Sequence, residues 1–433
     1  MRNYHQHHVH VRTNRRRVVK RRDFLRTVGT TAVAPGAISW LDAISLSADQ
    51  LRARGKACIL LWMAGGPSQF ETFSPKPENT NGGETKAIAT SVAGIHIAEN
   101  LPHVAKVTNE LAIIRSATSK EGSHPRASFL MHHGYLPMGG VKFPTLGSNV
   151  THQIGNRQSE LPGFVRVGAR ARNAGDGGFL GVEFDPLVLS SPQRPPENTQ
   201  PATSRARYNR RINFLQNLET DFGALEGTDI VADHRKLIER SANMILSSQM
   251  SAFAVEEEPT QIREAYGDTQ FGTGCLLARR LIESGVTFVE VVSGGWDTHQ
   301  DNFARHRDLT GQIDQPMARL ISELKERGLL DSTLVVWMGE FGRTPRINPR
   351  GGRDHYPKAF NVALAGGGIL GGQVIGATDA SGTQVSDRPV EVSDLFHSIY
   401  HALAIDPNEE NMSLVGRPIK LVDGGTVVQE LFG

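Results

Sequence analysis

The chain has 433 residues, 39% of them hydrophobic and 21% charged, a composition that excludes a disordered or fibrous protein and leaves room for one large α/β domain or two smaller ones. The formal net charge is only +2, yet Arg12, Arg15, Arg16, Arg17, Lys20, Arg21, Arg22 and Arg26 crowd the start and the remainder is mildly acidic. Charge over the main body therefore gives no footing for nucleic acid, and no such partner is expected.

The basic start runs into Phe24-Leu25 and then a small-residue, moderately apolar stretch from Val28 to Leu46, the order of a secretory signal. Within it Arg21-Arg22-Asp23-Phe24-Leu25 resembles a twin-arginine export signal, which is a receptor-read address and not an anchor. Pro35 and Asp42 argue against a membrane-spanning helix, which needs ~20 apolar residues. Ser45-Leu46-Ser47 and Ala48 offer small residues for cleavage. Residues 1–48 are thus expected to be an export signal, with the Tat export machinery as partner and a periplasmic or extracellular destination. A basic nucleic-acid arm is the other reading of the same residues.

Ala57 to Met63 is a near-continuous apolar run, ended by Ala64-Gly65-Gly66-Pro67-Ser68, and reads as a strand buried on both faces. Runs of the same kind recur at Leu111 to Ile114, Phe164 to Val167, Val286 to Val292, Leu334 to Trp337 and Val362 to Ala365. Helical patterns lie between them, at Thr273 to Ser284 and at Phe303 to Arg327, the second stopped by Gly328. This alternation predicts a doubly wound parallel sheet in an α/β domain from about residue 55 onward. A Pro-, Gln-, Asn- and Ser-rich segment from Ser191 to Arg207 and polar helical stretches to about Tyr266 interrupt the rhythm, so 191–266 is expected to be an inserted loop and helical subdomain. Cys58 and Cys275 both fall in apolar elements and are expected to be buried free thiols.

Chemistry concentrates at the strand ends. Gly294-Gly295-Trp296-Asp297-Thr298-His299 follows one strand, Glu71 lies in the loop after the first, and Met338-Gly339-Glu340-Phe341-Gly342-Arg343 and Gly352-Arg353-Asp354-His355 follow the strand ending at Trp337. In a parallel sheet such ends share one edge, where ligands bind. Asp297, His299, Glu340, Asp354 and His355 are the oxygen and imidazole donors that a divalent cation needs: zinc, manganese or, with fewer imidazoles, calcium. Asp297 has a second reading, as the cap of the helix that follows.

Ser123-His124-Pro125 has the form of a helix start, where free N–H groups and the helix dipole can hold an anion or activate a nucleophile. Ser123 is therefore a nucleophile or only a cap, and His124 a ligand or an acid–base group. His132 and His133, farther along, read as packed or exposed. Arg343 and Arg353, with Arg346 and Arg350, surround the acidic loop; they can clamp phosphate or sulfate oxygens, or pair with surface carboxylates. Gly366 to Gly372 reads as a tight loop, because no Lys-Ser/Thr pair follows it.

At these residues the chain resembles the bacterial family called domain of unknown function 1501, of the alkaline phosphatase and sulfatase superfamily. The segments that carry the resemblance are W-M-A-G-G-P-S-Q-F-E-T-F-S-P-K-P from Trp62, S-H-P-R-A-S-F-L-M-H-H-G from Ser123, G-G-W-D-T-H-Q-D-N-F from Gly294, G-E-F-G-R-T-P-R-I-N from Gly339 and G-R-D-H-Y-P from Gly352. The resemblance implies an alkaline-phosphatase-like three-layer sandwich with a mostly parallel sheet and a metal site at the carboxyl edge of that sheet. By position, Glu71 matches the superfamily's first acidic residue, Asp297 with His299 a later ligand pair, Glu340 an Asp of an Asp-His pair, and His355 the last histidine. Phe341 stands where the second member of that Asp-His pair belongs, and no Cys/Ser-x-Pro-x-Arg string of the sulfatase kind is present.

The chain is therefore expected to be an exported, metal-dependent hydrolase of phosphate or sulfate esters, acting on a small-molecule or polysaccharide ester. Ser123 or His124 would attack or move the proton, and Arg343 or Arg353 would neutralise the oxyanion. The other expectation is a catalytically degenerate protein of the same fold that binds a glycan or cell-envelope component.

Overall fold

The computed structural model describes residues 11–13, 17–19, 55–168, 175–199, 203–223, 228–414 and 416–433. Two compact units divide the chain, 1–53 and 54–433. In the first, the described residues are an antiparallel ribbon of Val11–Thr13 with Arg17–Val19; the rest of the export signal expected over 1–48 lies outside the described residues. No helix among the described residues is long and apolar enough to cross a membrane.

The second unit is built on a nine-stranded sheet of β1 (Ala57–Met63), β2 (Leu111–Thr118), β3 (Phe164–Val167), β4 (Leu187–Leu189), β5 (Phe288–Ser293), β6 (Thr333–Met338), β7 (Phe360–Gly366), β8 (Gln373–Ile375) and β9 (Val390–Glu391). Across the sheet the order is β8-β2-β7-β6-β1-β5-β3-β4, with β9 also paired to β2. All run parallel except β7, which is antiparallel to both β6 and β2. Reversal of that one strand sends the Gly366 to Gly372 loop to the far edge, where Gly366 pairs with Leu334 at the start of β6. The loop is thereby removed from the edge that carries the candidate site.

Strand periodicity makes the layers. Ile59, Leu61 and Met63 of β1 enter one buried cluster and Cys58, Leu60 and Trp62 the other, because successive side chains on a strand point to opposite faces. Helices α6 (Gln270–Glu283) and α7 (Asn302–Glu326) fill the first layer with residues such as Leu277, Leu281, Leu320 and Leu324. On the other face α1 (His124–His133), α2 (Leu146–Ile154) and α8 (Val392–Ala402) supply Met131, Val150, Leu395 and Ile399. The result is a three-layer α/β sandwich with a mostly parallel sheet, the arrangement that the family resemblance implies, with the one reversed strand departing from the parallel sheet that the alternation predicts. Cys275 belongs to the first cluster and Cys58 to the second, so the sheet itself separates two buried free thiols.

Residues 191–199 hold neither helix nor strand, and α3 (Arg205–Gly223), α4 (Thr228–Leu246) and α5 (Thr260–Ala265) follow before α6. A buried ion pair sits within the sheet: Glu290 of β5 accepts from Nε of Arg166 of β3 at 2.7 Å and lies 3.2 Å from His132 Nε2. Burial alone would raise the Glu290 carboxyl, but Arg166 and His132 outweigh it and bring it down to about 2. His132 and His133 are thus both buried, His133 stacked on Phe129.

Candidate metal centre

Loops at the carboxyl ends of β1, β5 and β6 and the start of α1 build the site. After β5 burial alternates from Trp296 onward: Trp296 and Thr298 are buried, Asp297 and His299 open to solvent. Trp296 is fully buried, its Nε1–H donating to Ser293 Oγ at 3.1 Å, and Thr298 Oγ1–H donates to Asn302 Oδ1 at 2.7 Å. These two anchors leave Asp297 and His299 side by side on the open face. The cap of α7 is Asp301 and not Asp297.

Gly65, just past β1, has a φ of +118°, and a Cβ on it would lie 2.5 Å from the Asp297 amide nitrogen. Only glycine fits this crossing. Its N–H donates to both carboxylate oxygens of Glu340, at 3.0 Å each. Gly352 serves in the same way opposite, since a Cβ there would meet the His299 carbonyl at 2.0 Å. Beyond β6, Gly342–Arg343 pairs antiparallel with His355–Tyr356, which sets Arg343 opposite His355.

Three imidazoles converge with Asp297. Each has its Nδ1 held by an acceptor: His124 by Glu340 Oε1 at 2.7 Å, His299 by Asp354 Oδ1 at 2.7 Å, His355 by the Gly122 carbonyl at 2.8 Å. Those contacts place the ring proton on Nδ1 and turn each Nε2 lone pair inward, the arrangement that orients histidine as a metal ligand. His299 Nε2 is 3.0 Å from His355 Nε2 and 3.1 Å from Asp297 Oδ1; His355 Nε2 is 3.4 Å from the same oxygen. His124 Nε2 is buried without a hydrogen-bond partner and lies 3.4 Å from Asp297 Oδ2. One ligand atom from each of His124, Asp297 and His355 lies within 4.8 Å of the others.

Electrostatics favour the donor state at Asp297 and His355 and oppose it at His124. Partial burial would raise the Asp297 carboxyl, but the Arg343 hydrogen bond and charge, with His124 and His299, bring it down to about 2. Burial lowers His355, which keeps it neutral at pH 7. The hydrogen bond that His124 donates to Glu340 raises the imidazole and favours its protonated form. Phe341 lies under two of the rings, its centroid 4.9 Å from that of His124 and 4.5 Å from that of His355. Phe341, buried itself, gives these rings an apolar floor.

The structure divides the residues expected at the site. His124, Asp297 and His355 bring one donor atom each to within 4.8 Å of the others, and His299 lies beside them, against Asp297 and His355. Glu340 and Asp354, expected as ligands, instead hold the Nδ1 atoms of His124 and His299, and both Glu340 oxygens also accept from Gly65. Glu71 does not reach this group at all. It is fully buried and paired with Arg353 Nη2 at 2.9 Å.

Arg353, expected to meet an oxyanion, spends its guanidinium on Glu71, Thr344 O, Pro345 O and Asn81 O, and stacks 4.4 Å over Phe70. Arg343 is also buried and donates to Gly66 O, Gly65 O, Arg353 O and Asp297 Oδ1. Both arginines are scaffold: their Nη groups, and Nε of Arg343, find acceptors inside the fold, while Nε of Arg353 is buried without one. Ser123 stands at the cap position of α1, but its side chain makes no capping bond and is exposed.

Two contributors escaped the sequence reading. Asn348 ties the last loop together, donating from Nδ2 to His299 O at 3.0 Å and accepting from Arg350 N and Gly352 N; the Asn-Pro-Arg-Gly-Gly turn was its signal. His306 of α7 accepts the Ser68 N–H at 2.9 Å through Nε2 and donates through Nδ1 to Asn302 O, which pins the loop after β1. A buried histidine inside an amphipathic helix leaves little trace in sequence.

Solved structures similar to this chain include the PsFucS1 sulfatase from Pseudoalteromonas sp., at 14% identity and a TM-score of 0.39 over 84% of this chain and 70% of that one. The phosphonate monoester hydrolase SpPMH from Silicibacter pomeroyi is similar at 14% identity and a TM-score of 0.36, over 88% and 77%. The lipoteichoic acid synthase LtaP from Listeria monocytogenes is similar at 8% identity and a TM-score of 0.34, over 86% and 75%. No curated protein matches the sequence. Residues 55–432 match the model of the protein family of unknown function DUF1501, and the chain belongs to that family.

Proposed function

We propose that the protein is an exported, metal-dependent hydrolase of phosphate or sulfate esters, with one divalent cation held by His124, His299, His355 and Asp297. The observation that carries this reading is the set of donors: three imidazoles anchored at Nδ1, of which His124 and His355 gather with the Asp297 carboxylate and His299 lies against the latter two. A nitrogen-rich donor set suits zinc or manganese better than calcium, which takes six to eight oxygens. Such a cation supplies Lewis-acid polarisation of an ester oxygen.

The chain's own residues supply the rest. Arg343 fixes Asp297 by a 2.7 Å hydrogen bond, and Glu340 and Asp354 fix His124 and His299. Side chains at the centre are between a quarter and a half exposed, which leaves a substrate oxygen free access. Ser123, exposed beside His124 at the start of α1, is the candidate nucleophile. Metal analysis of the purified chain, with turnover of aryl phosphate and aryl sulfate by wild type and Asp297→Ala, tests the reading. Metal and turnover in the wild type, both lost in the variant, are expected; absence of both from the wild type overturns it.

A second reading, a glycan- or envelope-binding protein of the same fold, is favoured by one observation: Arg343 and Arg353 are consumed by the scaffold, and neither guanidinium is left for an oxyanion. Thermal stabilisation by sulfated oligosaccharides without hydrolysis would select it.

A further inference from the structure

We infer that α3 carries a docking surface for an anionic polysaccharide, so that the ester substrate of the proposed hydrolase is borne on a polymer. The link to turnover rests on that reading; the docking itself does not.

Tyr208, Ile212 and Leu215 recur at helical spacing and are the half-buried stripe of α3, which packs on α4. Arg207, Arg210, Arg211 and Phe214 recur at the same spacing on an exposed face and line an open recess of about 310 Å³. Phe214 is 66% exposed, high for a phenylalanine. Among the described residues no carboxylate pairs with Arg207, Arg210 or Arg211. The first turn of α3 contains no acid, although acids are what the helix dipole favours there and cations are what it opposes. Residues 55–433 as a whole carry more acids than bases, so this cationic face stands against the charge of its own body.

Three neighbouring guanidinium groups and an exposed ring have a definite complement. Guanidinium forks match sulfate and phosphate oxygens in pairs, and an aromatic face offers an apolar platform for the C–H side of a sugar ring. From Arg207 to Phe214 the helix advances about 10 Å at 1.5 Å per residue, room for more than one sugar. An anionic polysaccharide satisfies both features at once. An anionic membrane would use the charge alone, since a single exposed ring gives little apolar area to insert.

The test uses the full chain, whose basic start also attracts polyanions, and therefore needs a matched control. Binding to heparin, to neutral dextran and to phosphatidylglycerol vesicles is measured for wild type, for Arg207→Ser/Arg210→Ser/Arg211→Ser, for Phe214→Ser, and for Arg15→Ser/Arg16→Ser/Arg17→Ser. The expected result is heparin affinity at least about ten-fold weaker in the α3 triple variant. Phe214→Ser is expected to weaken binding too, and the control triple variant to keep most of it. Wild-type heparin affinity in the α3 variant, or its loss in the control variant alone, overturns the inference. So does charge-dependent binding through α3 to vesicles and not to heparin. Aryl-ester turnover is measured alongside: heparin binding that depends on α3 in a chain with no turnover upholds the docking surface and sinks the hydrolase reading.

Discussion

Nε2 of His299 lies 3.0 Å from Nε2 of His355. Because Asp354 and the Gly122 carbonyl occupy the two Nδ1 atoms, the facing nitrogens both present lone pairs, and the cation proposed for this site would relieve their repulsion. His299→Ala and His355→Ala are each expected to reduce zinc stoichiometry from about one per chain to a small fraction, while circular dichroism stays unchanged. Full metal retention in both variants would remove the two histidines from the site.

Residues that hold the imidazoles act one step away. Asp354→Asn and Glu340→Gln keep the side-chain shape but weaken the acceptor for the Nδ1–H of His299 and His124. Each is expected to lower metal affinity about 10- to 100-fold, read by chelator competition, with the fold intact. Unchanged affinity would mean that the two carboxylates only fill space.

Glu71 and Arg353 form a fully buried pair at 2.9 Å. Glu71→Ala leaves the Arg353 guanidinium buried without its counter-charge and is expected to cost about 3–5 kcal/mol in urea unfolding. Glu71→Gln, which retains an acceptor, is expected to keep wild-type metal stoichiometry. Asp297→Ala has the opposite profile, losing metal with little loss of stability. Metal loss in Glu71→Gln would return Glu71 to the ligand set.

His306 supplies a pH dependence of folding. Burial lowers it from 6.5 to about 4, so between these values the unfolded chain binds the proton that the folded chain refuses. Stability is therefore complete above about pH 6.5 and falls as pH drops toward 4, by as much as roughly 3 kcal/mol. Melting temperatures at pH 4.5, 5.5 and 7 are expected to fall more steeply in wild type than in His306→Gln. Parallel curves would show that this histidine does not carry the acid sensitivity.

Much of this architecture is legible along the chain. Six apolar runs mark strands, each within a few residues of its observed bounds, because burial on both faces of a parallel sheet demands continuous apolar sequence. The reversed direction of β7 is not legible, since a strand buried on both faces has the same composition either way. Asp297 and His299 are recognisable as a pair, because burial alternates along their loop and leaves both open to solvent.

Sequence alone therefore determined the set of layers and the stock of donors at one sheet edge: local periodicity and strand-end position depend on neighbours in the chain. Only the tertiary structure decided which donor does what. His124 meets Glu340 across 216 residues, and Glu71 meets Arg353 across 282. A carboxylate becomes a ligand, an anchor or a buried counter-ion according to the partner it meets. Here that partner comes from the far end of the fold, and residue type and spacing carry no record of it.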